Sequence, residues 1–110
     1  MFISIDDFKK IEIKIGQILS AEKVPDTDKL LKLSVDLGET AGPRQIISGI
    51  AAFFPDPQVL EGQKCAFATN LEPRTIRGLE SQGMIMAVNG DNFFSLLETS
   101  ENVDPGSMVK

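Results

Sequence analysis

Histidine is absent from this 110-residue chain, and so are tryptophan and tyrosine. Without histidine, neither a Ser-His nor a Cys-His nucleophilic pair can be assembled. The single cysteine, Cys65, excludes an internal disulfide, and the usual zinc ligand sets are missing. The chain also lacks a P-loop, a GxGxxG motif and a calcium-loop pattern, so we expect no cofactor and no metal.

Long apolar runs are missing as well. No segment approaches the ~20 apolar residues that a membrane span needs. The N-terminal sequence MFISIDDFKK has neither the basic region nor the apolar region of a signal peptide. Cys65 lies in the apolar run CAFA and is predicted to be a buried thiol. These features predict a cytoplasmic location.

Carboxylates are the remaining source of acid–base chemistry. A fold could bring Glu72 and Glu80 together, but nothing in their spacing favours such a pair. An enzyme that uses carboxylates is therefore the last-ranked hypothesis, and we expect a protein without catalytic residues.

Alternating apolar and polar residues predict an all-β fold. Ile11, Ile13 and Ile15 alternate with charged residues, and the same period of two recurs from Leu31 to Leu37. Gly16 is expected to mark a bulge or a sharp coil in a long first strand. The five predicted strands are KKIEIKIGQILSAEKV, KLLKLSVDLG, RQIISGI, KCAFATNL and MIMAVNG.

Two short helical segments complete the pattern. Asp6 or Asp7 is predicted to cap a helical turn, DDFKKI. Asp56 is predicted to cap a second short helix, which has Pro57 at its first position and ends at Gly62.

A long coiled first strand and a helix between strands three and four match the OB-fold, a five-stranded Greek-key barrel. Another small barrel and a sandwich remain alternatives. We expect one domain, residues 1–110, with the barrel over residues 8–88 and a C-terminal extension over residues 89–110. The extension is predicted to hold one more short strand and a Pro105-Gly106 turn.

The segment NLEPRTIRGLESQGM, residues 70–84, is predicted to be a loop between strands four and five. It holds both arginines found beyond residue 44, in a chain of formal net charge −5. Alone, these arginines would be expected to pair with Glu72 and Glu80. Asn70 would then cap backbone groups, Ser81 would belong to a turn, and Met84 would lie in the core.

The segments DKLLKLSVDLG, RQIISGI and NLEPRTIRGLESQGM, in this order, resemble the tRNA-binding domain family. That family includes free-standing homodimeric tRNA-binding proteins and the C-terminal domain of bacterial methionyl-tRNA synthetases. PDPQVLEGQ is similar to the synthetase branch, and the resemblance covers residues 5–110. It implies an OB-fold that binds tRNA by shape and backbone, without catalysis.

The resemblance also implies a set of tRNA-binding residues. Cationic side chains would meet phosphates, amide and hydroxyl groups would meet sugar or base edges, and a methionine would contact an exposed base. The implied residues are Lys29, Asn70, Arg74, Arg77, Ser81 and Met84.

This chain departs from the family pattern in the same loop, because Glu72 and Thr75 stand where the family commonly has lysine. From residue 64 to residue 84, three basic and two acidic residues give a balance of only +1. Affinity for RNA follows the number of phosphates neutralised, so we expect weak or modest tRNA binding.

The predicted extension bears on partners. Phe93, Phe94, Leu96 and Leu97 are more apolar residues than a small closed barrel needs. The resemblance implies a homodimer formed through this extension; the alternative is that these residues cover their own barrel. The remaining possible partners are a synthetase catalytic domain, if the chain is a detached domain, and a client protein, as for the family's secretion-chaperone relative. That relative generally lacks the SQGM ending.

Overall fold

The alternating segments form an antiparallel barrel in the computed structural model, which describes residues 1–110. Two 3₁₀ helices, Ala51–Phe53 and Pro57–Leu60, lie between the third and fourth strands. The strands are β1 Ile13–Lys23, β2 Leu31–Asp36, β3 Arg44–Ser48, β4 Lys64–Ala68, β5 Arg74–Ile76, β6 Leu79–Ser81, β7 Met84–Ile85, β8 Ala87–Asn89 and β9 Phe94–Leu96.

The sheet order is β3-β2-β1-β4-β7, so the long first strand lies at the centre. Residues 13–17 of β1 pair with β4, and residues 17–23 pair with β2. One strand therefore belongs to both halves of a nearly closed barrel, as in an OB-fold. The prediction of that fold is confirmed.

The barrel encloses a core of aliphatic residues and Phe67. Along β2, buried Leu31, Leu33 and Val35 alternate with half-buried polar neighbours, as the period of two predicts. Cys65 is fully buried and unpaired, and burial raises the pKa of its thiol to about 11. The predicted buried thiol is confirmed, and the thiol stays protonated at neutral pH.

The helical segments differ in detail from the prediction. Helix α1 spans Ile5–Phe8 and is capped by Ser4, whose hydroxyl accepts a hydrogen bond from Asp7 N at 3.0 Å. The prediction of Asp6 or Asp7 as its cap is wrong, because the cap lies two residues before Asp6 and both aspartates belong to the first turn. The second segment is capped by Asp56 with Pro57 first, as predicted, although it is a 3₁₀ helix. No helix is long and apolar enough to cross a membrane.

The predicted bulge also lies elsewhere. The pairing of β1 with β2 shifts between Ile18 and Ser20, beyond Gly16. Gly16 is buried, and a Cβ atom there would lie 2.6 Å from Val35 Cγ1 and 2.9 Å from Leu37 Cδ2. Close packing of the core against its Cα requires glycine at this position. Gly16 also adjoins Gln17, where β1 passes from β4 to β2, so the predicted sharp coil is not contradicted.

Gly16→Ala is expected to lower the free energy of unfolding by about 1–3 kcal/mol, because the added methyl group overpacks the core. Gly49→Ala is the matched control, since a Cβ at Gly49 would meet no atom within 4 Å. Urea midpoints of the two variants measure the difference. Equal midpoints would show that the core relaxes around residue 16 without loss.

Candidate nucleic-acid interface

The segment that was predicted to be a loop forms a β-hairpin. Arg74 pairs with Ser81, and Ile76 pairs with Leu79, so Arg77 and Gly78 form a two-residue turn. Both turn residues have positive φ, 52° and 79° respectively. This is the geometry of a type I′ turn, which Asn-Gly adopts readily and which is strained for arginine. The loop prediction is therefore wrong for residues 74–81.

The two arginines of the hairpin are exposed and make no ion pair. Glu72 is likewise unpaired, and the Glu80 carboxylate accepts a hydrogen bond from Gln82 Nε2 at 3.1 Å. The alternative in which Arg74 and Arg77 pair with these glutamates is therefore wrong. Both guanidinium groups are available to an anionic partner.

Lys29 lies across a cleft from the hairpin tip. It is exposed and unpaired, and with Arg77 it lines an open cleft of about 400 Å³ between the loop of residues 26–30 and the hairpin. Ile76 lines this cleft and also a small groove of about 70 Å³ beside Arg74. Lys29, Arg77 and Arg74 therefore border adjoining depressions, which Asp26, Asp28 and Glu72 also line. We call this surface the cationic face after the three side chains that can meet phosphates.

Met84 lies in the small groove with Leu71 and Arg74. Its exposed fraction is 50%, so it is not part of the core, whereas Met86 is half-buried. An exposed, flexible thioether next to an arginine suits contact with an apolar or aromatic surface, including a nucleobase.

Ser81 is buried where β3 meets the chain that enters β7. Its hydroxyl accepts a hydrogen bond from Ile47 N at 3.0 Å and donates to Gly83 O at 3.1 Å. Gln82 N donates to Gln45 O at 2.8 Å beside it. These bonds bridge β3 to the chain entering β7, so Ser81 closes the barrel at the base of the hairpin.

Asn70 fixes the other end of the hairpin segment. Its Oδ1 accepts from Glu12 N at 2.8 Å, and its Nδ2 donates to Lys10 O at 2.7 Å. The side chain ties the end of β4 to the segment leading into β1. It caps backbone groups, which was the alternative for this residue.

Arg44 is a site residue that the sequence did not reveal. Its Nη1 donates to Thr69 O at 2.6 Å and to Gln82 O at 3.1 Å, the two carbonyls that flank residues 70–81. Nε and Nη2 form a bidentate pair with Glu39 at 2.8 and 2.7 Å. Arg44 therefore clamps both ends of the hairpin segment. Its partners lie up to 38 residues away along the chain, so no local pattern marks it.

The carboxylates around this clamp predict acid sensitivity. Hydrogen bonds from Arg44 hold the pKa of Glu39 below the ordinary 4.5, and a hydrogen bond from Thr69 lowers that of Glu12. A lowered pKa in the folded state adds stability above the unfolded pKa, and this stability is lost as the pH falls through the folded pKa. We expect the free energy of unfolding to fall as the pH drops below about 4.5.

Urea unfolding at several pH values measures this effect. Glu39→Gln should lower the free energy of unfolding at neutral pH and reduce its further decrease as the pH falls. Glu61→Gln, at an exposed glutamate without an ion pair, is the control and should change neither. An unchanged acid slope in Glu39→Gln would contradict the role of the clamp.

Comparison with known proteins gives one family. The sequence profile described as "Putative tRNA binding domain" matches residues 13–108. Methionine–tRNA ligase of Methanosphaerula palustris is 49% identical over 108 residues, which cover 98% of this chain and 16% of that protein. The chain thus spans about a sixth of the length of the curated relatives it matches.

Solved structures agree with the fold. The methionyl-tRNA synthetase-related protein of Pyrococcus horikoshii has a TM-score of 0.92 and 38% identity, covering 100% of this chain and 99% of that one. The chaperone CsaA of Bacillus anthracis has a TM-score of 0.84 and 22% identity, covering 100% of each chain. The second likeness shows the shared fold alone.

Proposed function

Because this chain belongs to the tRNA-binding domain family, we propose that it is a non-catalytic module that binds tRNA on its cationic face. The observation that carries the proposal is the convergence of Lys29, Arg74 and Arg77, none of them in an ion pair, on adjoining depressions. Unpaired cations that border a groove can meet a phosphate backbone, and recognition would rest on RNA shape rather than sequence. Asp26, Asp28 and Glu72 line the same depressions and keep the expected affinity modest.

The six residues take two kinds of role in this proposal. Lys29, Arg74 and Arg77 contact phosphates, and Met84 contacts a base edge or face. Asn70 and Ser81 hold the two ends of the hairpin, as Arg44 does, because their polar atoms are engaged with backbone groups. They act as positioning residues.

A fluorescence anisotropy titration with bulk tRNA, at about 50 and 200 mM salt, tests the proposal. We expect binding at the lower salt and a clear loss at the higher salt, since released counterions drive the association. Absence of binding at the lower salt would overturn the proposed function.

The proposed module comprises one domain over residues 1–110, with the barrel over residues 8–88 and the extension over residues 89–110, and it acts in the cytoplasm.

We propose that this extension joins two copies. Leu96 is buried and Phe94 packs against the core of its own barrel, while Phe93 and Leu97 remain 60% and 40% exposed. The extension thus covers its own barrel and still offers an apolar surface. Two copies would present two RNA-binding surfaces and so raise the apparent affinity for RNA. A linked synthetase domain that also binds the tRNA would raise it for the same reason.

Sedimentation velocity at micromolar concentration tests the dimer. We expect about twice the monomer mass for the native protein and a monomer for Phe93→Ser. A native monomer would overturn the dimer proposal and leave the proposed tRNA site standing.

A further inference from the structure

Three phenylalanines form an aromatic cluster between the first 3₁₀ helix and the C-terminal extension. The Phe53 and Phe94 rings are stacked, with centroids 4.0 Å apart and an angle of 4° between their planes. Phe54 meets Phe94 edge-on, at 5.9 Å and 79°. Phe94 and Phe54 pack against the core, whereas Phe53 keeps an exposed fraction of 44%. Phe53 is thus an exposed ring held flat on a fixed one.

The cluster lies beside the cationic face. Lys29 O accepts a hydrogen bond from Ala51 N at 3.0 Å, and Ala51 begins the 3₁₀ helix that ends at Phe53. Lys29 in turn shares its cleft with Arg77. The exposed ring is therefore connected through one short helix to the cleft that would receive phosphates.

We infer that Phe53 is a stacking platform for an unpaired nucleobase of the RNA bound on the cationic face. This inference rests on the proposed tRNA function. The stack already contains two parallel rings, so a base placed on Phe53 continues an existing arrangement. Aromatic side chains hold single-stranded bases in this way whatever the base, because every base has a π-face. The ligand is thus RNA with unpaired nucleotides beside a region whose backbone meets Lys29 and Arg77.

The geometry favours a base over an apolar side chain of a protein partner. A ring oriented by a parallel neighbour presents a flat surface. The connected cleft offers Lys29 and Arg77 to phosphates, beside the carboxylates of Asp26 and Asp28. Contact with phosphates on one side and with a base on the other is how single-stranded nucleic acid is bound without sequence preference.

Phe53→Leu tests the inference, because leucine keeps apolar contact with Phe94 and removes the aromatic face. Binding of tRNA and of a blunt RNA duplex is measured for the native protein, Phe53→Leu and Phe53→Trp. Val59→Leu, at an exposed apolar residue of the second 3₁₀ helix, is the control. We expect Phe53→Leu to weaken tRNA binding about 5- to 100-fold with an unchanged salt slope. Duplex binding should not change, and Phe53→Trp should bind tRNA at least as well as the native protein.

The outcomes separate this inference from the proposed function. Absence of native tRNA binding defeats the proposed function itself. Native binding that is unchanged in Phe53→Leu, or equally weakened for tRNA and duplex, overturns the platform alone. A dimer that dissociates in Phe53→Leu would assign the cluster to contact between two copies and would likewise overturn it.

Discussion

Arg77→Asn is expected to weaken tRNA binding about 10-fold or more while the protein becomes slightly more stable. Arg77 occupies the first position of a type I′ turn at φ 52°, a conformation that asparagine tolerates much better. The substitution should therefore raise the free energy of unfolding by roughly 1 kcal/mol. The same change removes a guanidinium group from the cationic face. Loss of binding with a gain of stability cannot be ascribed to misfolding.

Anisotropy at several salt concentrations and urea midpoints measure the two effects of Arg77→Asn. Each lost phosphate contact should make the slope of log affinity against log salt concentration shallower by about 0.9. A fourfold rise in salt should therefore reduce the ratio of native to variant affinity about 3.5-fold. Lys110→Ala removes one positive charge at the chain end and should leave the salt slope unchanged. Native affinity in Arg77→Asn would show that the hairpin tip does not contact RNA.

Glu72→Lys is expected to strengthen tRNA binding about 10-fold at low salt. Glu72 lies in the small groove with Arg74 and Met84 and has no ion pair, so its charge opposes a phosphate there. Lysine at this position removes the repulsion and adds a contact. The same titration should give a salt slope about 0.9 steeper than that of the native protein.

Thr75→Lys and Glu101→Lys are the comparisons for Glu72→Lys. Thr75 pairs with Glu80 across the hairpin. Because side chains alternate along a strand, Thr75 lies on the face opposite to Arg74 and Ile76, so lysine there should strengthen tRNA binding less. Glu101→Lys makes the same charge change in the exposed tail and should have little effect. Equal gains from residues 72 and 101 would indicate attraction to net charge rather than to the cationic face.

The barrel could be predicted from the sequence because its signals are local. Alternation in KLLKLSVDLG fixes which side chains of β2 enter the core. The short apolar run CAFA instead marks β4 as a strand that is buried along most of its length. The 3₁₀ helix at Pro57 was predicted for the same reason, since Asp56 and Pro57 are adjacent signals of a helix start.

The hairpin was not predicted, because its turn breaks the usual composition rule. Asn-Gly or Asp-Gly at positions 77 and 78 would have marked a type I′ turn, but arginine there does not. A strained backbone at an exposed charged residue is frequently tied to function, and here it places Arg77 at the hairpin tip.

Contacts between segments that are distant in sequence account for the remaining differences between the predicted and the observed structure. Residue types predicted a bulge or a sharp coil at Gly16, but the close packing that requires glycine there involves Val35 and Leu37, which lie on another segment. Arg44 is similar, since its carbonyl partners flank the hairpin segment and become neighbours only when the barrel closes.

The most direct test of tRNA binding on the cationic face is a map of backbone amide shifts in the nuclear magnetic resonance spectrum as tRNA is added. We expect the largest changes on residues 26–30 and 70–84, around Lys29, Arg74 and Arg77, while the exposed residues of the tail beyond Glu98 stay unchanged. Changes concentrated on the tail or on helix α1, with the hairpin unperturbed, would contradict binding on the cationic face.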